Sequence, residues 1–298
     1  MNKIKVAVGQ HRCHADYDKN LQADISAIEQ AAEQGADLVL LPELSTSLYF
    51  CISEDPANYD QAEPIPGRTT EALQAAAKAN NIIVVTTLFE KRAKGLYHNT
   101  AIVIDKDGSL AGSYRKMHIP DDPGFYEKYY FTPGDQGFKP IETSIGKLGV
   151  LICWDQWYPE GARIMALSGA ELLLFPSAIG WEPDEDKLEN DQQRDAWITV
   201  QRGHAIANNL PVISSNRVGL ETTEQDNMET LFWGSSFICG QQGEILAEAS
   251  TEEEEVITAE LDLAHTEQVR RVWPYLRDRR LDAYDGILKR HIDHAETK

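Results

Sequence analysis

Cysteine is scarce in this chain. Its four copies, Cys13, Cys51, Cys153 and Cys239, lie far apart with no C-x-x-C among them. That spacing excludes a disulfide framework and points to the reducing cytoplasm. Long apolar runs are missing too: no stretch approaches the length a membrane span needs. The opening MNKIKVAVGQ is too short and too polar at its flanks for a signal peptide, and reads as a first β-strand. Bases are outnumbered, 28 against 48 acids, for a formal net charge of −20. Such a field repels nucleic acid and anionic membranes, so neither is expected as a partner. It is compatible with a cationic substrate, although an acidic surface that only keeps the protein dispersed explains it as well. No Ser/Gly linker interrupts the 298 residues, a length suited to one α/β domain.

Strand-like and helix-like patterns alternate along the chain. KIKVAVGQ precedes an amphipathic stretch from Tyr17 to Gln34 and then ADLVLLPE. Thr69 to Asn80 predicts a helix, followed by IIVVTTLFEK. HNTAIVID and LAGSYRK face each other across Lys106-Asp107-Gly108, a hairpin signal. The second half repeats the idea: KLGVLICW, a helix from Pro159 to about Ser168, ELLLFPSA, a helix around Asp191 to Asn208, PVISSNRV, and a hairpin at Gln241-Gln242-Gly243. Continuously apolar strands such as LVLLP and ELLLFP suit a sheet covered on both faces, and hairpins among βα units indicate mixed sheets. One domain is expected over 1–264. The tail 265–298, rich in arginine and aromatics (RRVWPYLRDRR), is expected to pack on the outside or across a subunit boundary.

Three strands end in a reactive group. Glu43 follows LVLLP, Lys116 closes GSYR, and Cys153 tips VLI. Sites in α/β sheets are assembled at strand ends, where a rigid scaffold meets loops that can carry polar groups. A thiolate attacks, a nearby ammonium favours its charge, and a carboxylate can move the proton, so these three types together suit nucleophilic catalysis. Each has a plainer reading by itself: Cys153 as one more small buried residue, Glu43 as a helix cap, Lys116 as a surface charge. In LICWDQWYPEGAR, Asp155 and Pro159 would shape the turn after Cys153, with proline at the first helical position. Glu160 and Arg163 would form an ion pair there.

The order Glu, Lys, Cys within PEL, YRKMHIP and CWDQWYPEGAR resembles the nitrilase superfamily of carbon–nitrogen hydrolases, along nearly the whole chain. More narrowly, KMHIPDDPGFYEKYYFTPGD and LICWDQWYPEGAR resemble the branch that hydrolyses N-carbamoylputrescine in polyamine synthesis. The resemblance implies an α-β-β-α sandwich with mixed sheets and a homo-oligomer. It implies Glu43 as general base, Lys116 as electrostatic stabiliser, Cys153 as nucleophile, and Glu127 as the second glutamate that positions substrate and lysine. Where that branch usually has glycine and tyrosine after the base, this chain has Ser47 and Leu48, which alters the pocket wall.

A cationic carbamoyl-amine substrate needs an apolar channel ending in a carboxylate. Trp154, Tyr49, Phe125 and Trp181 are the candidate walls, since aromatics supply packing and cation–π attraction. Glu182 is the candidate for the distal ammonium, with a solvated acidic loop as its plainer reading. No cofactor is expected. No metal is expected either: HRCH (11–14) lacks a partner half, and Arg12 would repel a cation. His204 reads as a hydrogen-bonded structural histidine and His118 as a wall of the lysine loop. Two alternatives stay open: another amidohydrolase of the family, such as a β-ureidopropionase or an ω-amidase, and an inert binding or assembly protein on the same scaffold.

Overall fold

The computed structural model describes residues 3–181, 186–222 and 228–292. In chain order the first half supplies β1 (Lys3–Gln10), α1 (Tyr17–Glu33), β2 (Leu38–Leu40), α2 (Arg68–Asn80), β3 (Ile83–Ala93), β4 (Leu96–Ile104), β5 (Leu110–Arg115) and α3 (Glu127–Tyr130). The second half begins with β6 (Ile141–Thr143), β7 (Gly146–Val150), α4 (Pro159–Leu167), β8 (Leu172–Ser177), β9 (Gly180–Trp181) and α5 (Lys187–Asn208). It closes with β10 (Val212–Asn216), β11 (Val218–Thr222), β12 (Glu229–Trp233), β13 (Phe237–Cys239), β14 (Ile245–Glu248), β15 (Glu255–Asp262) and α6 (Leu263–Val272).

Two six-stranded mixed sheets run β15-β1-β2-β3-β4-β5 and β14-β13-β10-β8-β7-β6. In each, three neighbouring strands are parallel: β1, β2 and β3 in one, β10, β8 and β7 in the other. Period-2 alternation assigns the faces. Val6, Val8, Leu38 and Leu40 point into the core shared with Leu148, Val150 and Ile213 of the second sheet. Their neighbours Ala7, Val39 and Leu41 point outward onto Ala27, Ile28 and Ala31 of α1 and Leu73 of α2. Ala162 and Met165 of α4 and Trp197 of α5 cover the second sheet. The architecture is therefore the expected α-β-β-α sandwich. Full burial of each such Val or Leu contributes about 1.5–3 kcal/mol, so the strand alternation carries much of the folding free energy.

Local signals hold where chemistry is local. Asp16 caps α1 by accepting from the N–H groups of Asp18 and Lys19. The hairpin at 106–108 closes with Gly108 at φ 85°, its N–H donating to Asp105 O. A small sheet β11-β12-β9 was not foreseen; it forms because Leu231 and Phe232 pair with Trp181 and Gly180. The expected Glu160–Arg163 pair does not form. Arg163 instead donates to Ala207 O near the end of α5 at 2.9 Å, while Glu160 stays exposed in the first turn of α4. Ala207 lies in the last turn of α5, where carbonyls lack a helical partner, and a solvated ion pair offers the guanidinium little in competition.

Helix α6 straddles the boundary at 264, burying Leu263, Thr266 and Val269. Beyond it the tail is exposed, with Leu288 at 91%. No helix among the described residues is long and apolar enough to cross a membrane.

Candidate active site

The parallel strands deliver their C-terminal ends to one edge of the sandwich, and each end turns off the sheet with a polar cargo. After β2 the chain reaches Glu43, whose N–H still donates across the sandwich to Ser177 O at the end of β8 (3.2 Å). Leu44 then adopts φ 50°, a left-handed conformation that costs a branched residue free energy. After β7 the corner is made by Cys153 itself, at φ 40°, opening a short 3-10 turn from Cys153 to Trp157. Lys116 continues β5, its N–H donating to Asn99 O at 2.9 Å. Glu127 opens α3.

These four side chains converge. The Lys116 ammonium donates to Glu43 Oε1 at 2.8 Å and to Glu127 Oε2 at 2.7 Å. Asn99 Nδ2 donates to the same Glu43 oxygen at 2.7 Å, and the Tyr49 hydroxyl to Glu127 Oε1 at 2.8 Å. Glu43, Lys116, Glu127 and Cys153 are all buried. Glu43 Oε2 has no hydrogen-bond partner among the described residues. Glu43, Lys116 and Glu127 are also the charged groups whose fields act on the Cys153 thiol.

Charge and burial decide the protonation states. Burial, with Glu43 adding to it and Lys116 opposing, pushes the Cys153 thiol well above its ordinary range, so the resting sulfur carries its proton. Lys116 is pushed up because the two carboxylates outweigh its desolvation, and it stays an ammonium. Burial also raises Glu127, against the pull of Lys116, because one ammonium serves two buried carboxyls. A protonated thiol, an ammonium and a carboxylate with one uncommitted oxygen can take a proton from sulfur and neutralise an oxyanion.

The cysteine corner is braced by Asp155. Its Oδ2 accepts from the Ile152 N–H (2.9 Å) and the Tyr114 hydroxyl (2.8 Å). Its Oδ1 accepts from the His118 N–H (3.0 Å) and faces His118 Nδ1 at 2.7 Å. One buried carboxylate thus ties the cysteine turn to the lysine strand. Gln156 adds a second tie: its Oε1 accepts from Trp197 Nε1 at 2.7 Å, and its backbone oxygen meets His204 Nε2 at the same distance.

The chain matches the model for the carbon–nitrogen hydrolase family over residues 5–271. The chain belongs to this family. This carbon–nitrogen hydrolase is 43% identical over 288 residues to an N-carbamoylputrescine amidase of Solanum lycopersicum, covering 96% of this chain and 95% of that one. It is likewise 43% identical over 292 residues to a citrullinase of Francisella tularensis subsp. tularensis, with 98% and 100% covered. Its fold superposes on the crystal structure of a carbon–nitrogen hydrolase from Helicobacter pylori G27 with a TM-score of 0.94 at 52% identity, covering 97% of this chain and 100% of that one. Family membership makes it a hydrolase of non-peptide carbon–nitrogen bonds.

Of the expected walls, Tyr49 and Phe125 lie side by side with ring centroids 5.5 Å apart. Trp154 and Trp181 have other partners. Trp154 meets Trp157 edge-on at 6.5 Å, and the Trp181 indole donates to Asn190 O of α5 and leans on Trp233. Glu182 lies outside the described residues. Leu48 is half-buried beside Tyr49, Ile52 and Glu221. A cavity of about 580 Å³ is lined in part by Leu44, Ser47 and Tyr49, and neither Cys153 nor Lys116 lines it. In HRCH, His11 faces Asp24 of α1 at 3.1 Å, and the Cys13 thiol donates to Ser45 O.

Sequence reasoning passed over Asn99 and Arg217. Asn99 is a polar residue set in the apolar strand HNTAIVID, a visible signal. Arg217, fully buried, donates to the backbone oxygens of Glu43 and Leu44. Its only mark in the sequence is a charge directly after a buried strand.

Proposed function

We propose that the protein hydrolyses N-carbamoylputrescine to putrescine, carbon dioxide and ammonia, a step that yields a polyamine precursor. The observation that carries the reading is the buried contact of Lys116 with Glu43 and Glu127 beside a protonated Cys153 thiol, with Glu43 Oε2 uncommitted. Glu43 takes the thiol proton as sulfur attacks the carbamoyl carbon. The Lys116 ammonium and the backbone N–H of Trp154 stabilise the oxygen as it gains charge. Ammonia leaves with the proton held by Glu43, and a thioester-type carbamoyl enzyme remains. Water, deprotonated by the same carboxylate, displaces sulfur, and the released carbamic acid falls to amine and carbon dioxide. Glu127 holds the lysine in place, and Tyr49 and Phe125 line the methylene chain.

The citrullinase relative favours a second reading with the same chemistry on citrulline. Citrulline carries a carboxylate at its far end, which calls for a cation there, whereas the chain's net charge of −20 favours a simple amine. Ammonia release from N-carbamoylputrescine, citrulline, N-carbamoyl-β-alanine and glutamine tests both readings. N-Carbamoylputrescine should have the highest kcat/KM, Cys153→Ala should be inactive, and Glu43→Gln should lose about 10²–10⁴-fold in kcat. A higher kcat/KM for citrulline would move the assignment to the second reading, and an active Cys153→Ala would end both.

The protein is also proposed to work in the cytoplasm as a homo-oligomer. The exposed apolar residues Trp273, Leu281, Ile287 and Leu288 sit among Arg277, Arg279 and Arg280 on a chain that is otherwise strongly acidic, which supports docking on a second copy. A monomeric mass in light scattering would overturn this.

A further inference from the structure

The base corner poses a hydrogen-bonding problem. When the chain leaves the sheet at Glu43, the backbone oxygens of Glu43, Leu44 and Ser47 have no ladder partner. Glu43 and Leu44 are buried and Ser47 half-buried, and a turn bond from the Ser47 N–H (3.2 Å) reaches Leu44 O. Such groups must be met from elsewhere. All three are met by Arg217, one residue beyond β10: Nη2 donates to Glu43 O (2.7 Å) and Leu44 O (2.9 Å), and Nη1 to Ser47 O (3.2 Å). The guanidinium is itself fully buried, and its charge is balanced by Glu221, whose two oxygens lie 2.8 and 3.1 Å from Nη1. Glu221 has a second task. Its Oε2 accepts the Tyr49 N–H at 2.7 Å, and the hydroxyl of the same tyrosine holds Glu127. The Tyr49 and Phe232 rings flank the guanidinium at 5.8 and 5.2 Å.

We propose that Arg217 and Glu221 are positioning residues that clamp both site carboxylates: the guanidinium fixes the backbone carrying Glu43, and its partner carboxylate fixes Tyr49 and through it Glu127. The inference rests on the proposed hydrolase reading of Glu43, Lys116 and Cys153. A fork of fixed donors suits this place because it meets three carbonyls and a carboxylate at once, which a single ammonium cannot do. The clamp also holds Leu44 in its left-handed conformation, which sets where Glu43 Oε2 points.

The test uses the full-length enzyme and steady-state ammonia release from N-carbamoylputrescine, alongside the rate of Cys153 alkylation by iodoacetamide. Arg217→Lys keeps the charge and loses the fork. It should lower kcat by about tenfold to a hundredfold, the scale of a misplacement near 1 Å, with KM changed less than about twofold. Alkylation should slow in parallel, because the neutral reagent also needs Glu43 to take the thiol proton. Glu221→Gln, which keeps its volume, and Tyr49→Phe should each reduce kcat. Their double variant should lose clearly less than the product of the two singles, since both act on Glu127 through Tyr49 while Glu221→Gln also loosens Arg217. Wild-type kcat and alkylation in Arg217→Lys, or simple additivity of Glu221→Gln and Tyr49→Phe, would overturn the clamp. If Arg217→Lys does not fold, the Glu221 and Tyr49 cycle decides by itself. An inactive Cys153→Ala beside a fully active Arg217→Lys would sink the clamp alone, whereas an active Cys153→Ala would sink the hydrolase reading and the clamp together.

Discussion

The two corners that carry Glu43 and Cys153 solve the same problem with different means. Each follows a short parallel strand, and each places a non-glycine residue at positive φ, Leu44 at 50° and Cys153 at 40°. The cysteine corner is braced mainly from within: Asp155, two residues on, accepts from Ile152 N–H and reaches the lysine strand through Tyr114 and His118. The base corner is braced from far away, by an arginine 174 residues later in the chain. A local brace forms with the turn itself, whereas a distant one exists only once the second sheet has docked on the first. The cysteine corner is thus built into its own segment, and the base corner is a product of the sandwich.

The largest effect that would break this comparison is expected at Asp155. Asp155→Asn keeps the shape but sets an amide donor against groups that are themselves donors. It should cost roughly 2–3 kcal/mol in urea-induced unfolding, the scale of a buried unsatisfied group, and should lower stability and activity together. Arg217→Lys is expected to act on kcat ahead of stability, and equal stability losses in the two variants would erase the distinction between the corners.

A smaller, pH-dependent effect sharpens the account of the shared carboxylates. Burial raises the Glu127 carboxyl from its ordinary 4.5 to about 7. A carboxyl raised on folding is bound to its proton more tightly in the native state, so stability falls as pH rises from about 4.5 to about 7. Unfolding free energies of wild type and Glu127→Gln, measured across that window, should therefore differ by an amount that shifts against the wild type with rising pH. A constant difference would mean that Glu127 binds its proton no more tightly in the folded protein than in the unfolded chain.

Much of the fold was legible because it is written over short distances. Strand alternation, the Asp16 cap, the hairpin at Gly108 and the helix starting at Pro159 all follow from neighbours in sequence. The reactive residues were legible as types at strand ends, and Glu127 through a family likeness. What sequence reasoning got wrong or missed was mostly a choice between distant partners. Arg163 prefers Ala207 O over the nearby Glu160, Asn99 serves Glu43 from two strands away in its own sheet, and Arg217 serves it from the other sheet.

By itself, then, the sequence determined which segments become strands and helices, and that Glu43, Lys116 and Cys153 stand where strands end. Periodicity and capping act within a few residues and need nothing else. Only the tertiary structure decided that those ends meet, that one lysine is shared by two carboxylates, and that a buried arginine closes the base corner. Those contacts join atoms far apart in the chain, and their partners are chosen by strand register and by the packing of the two sheets.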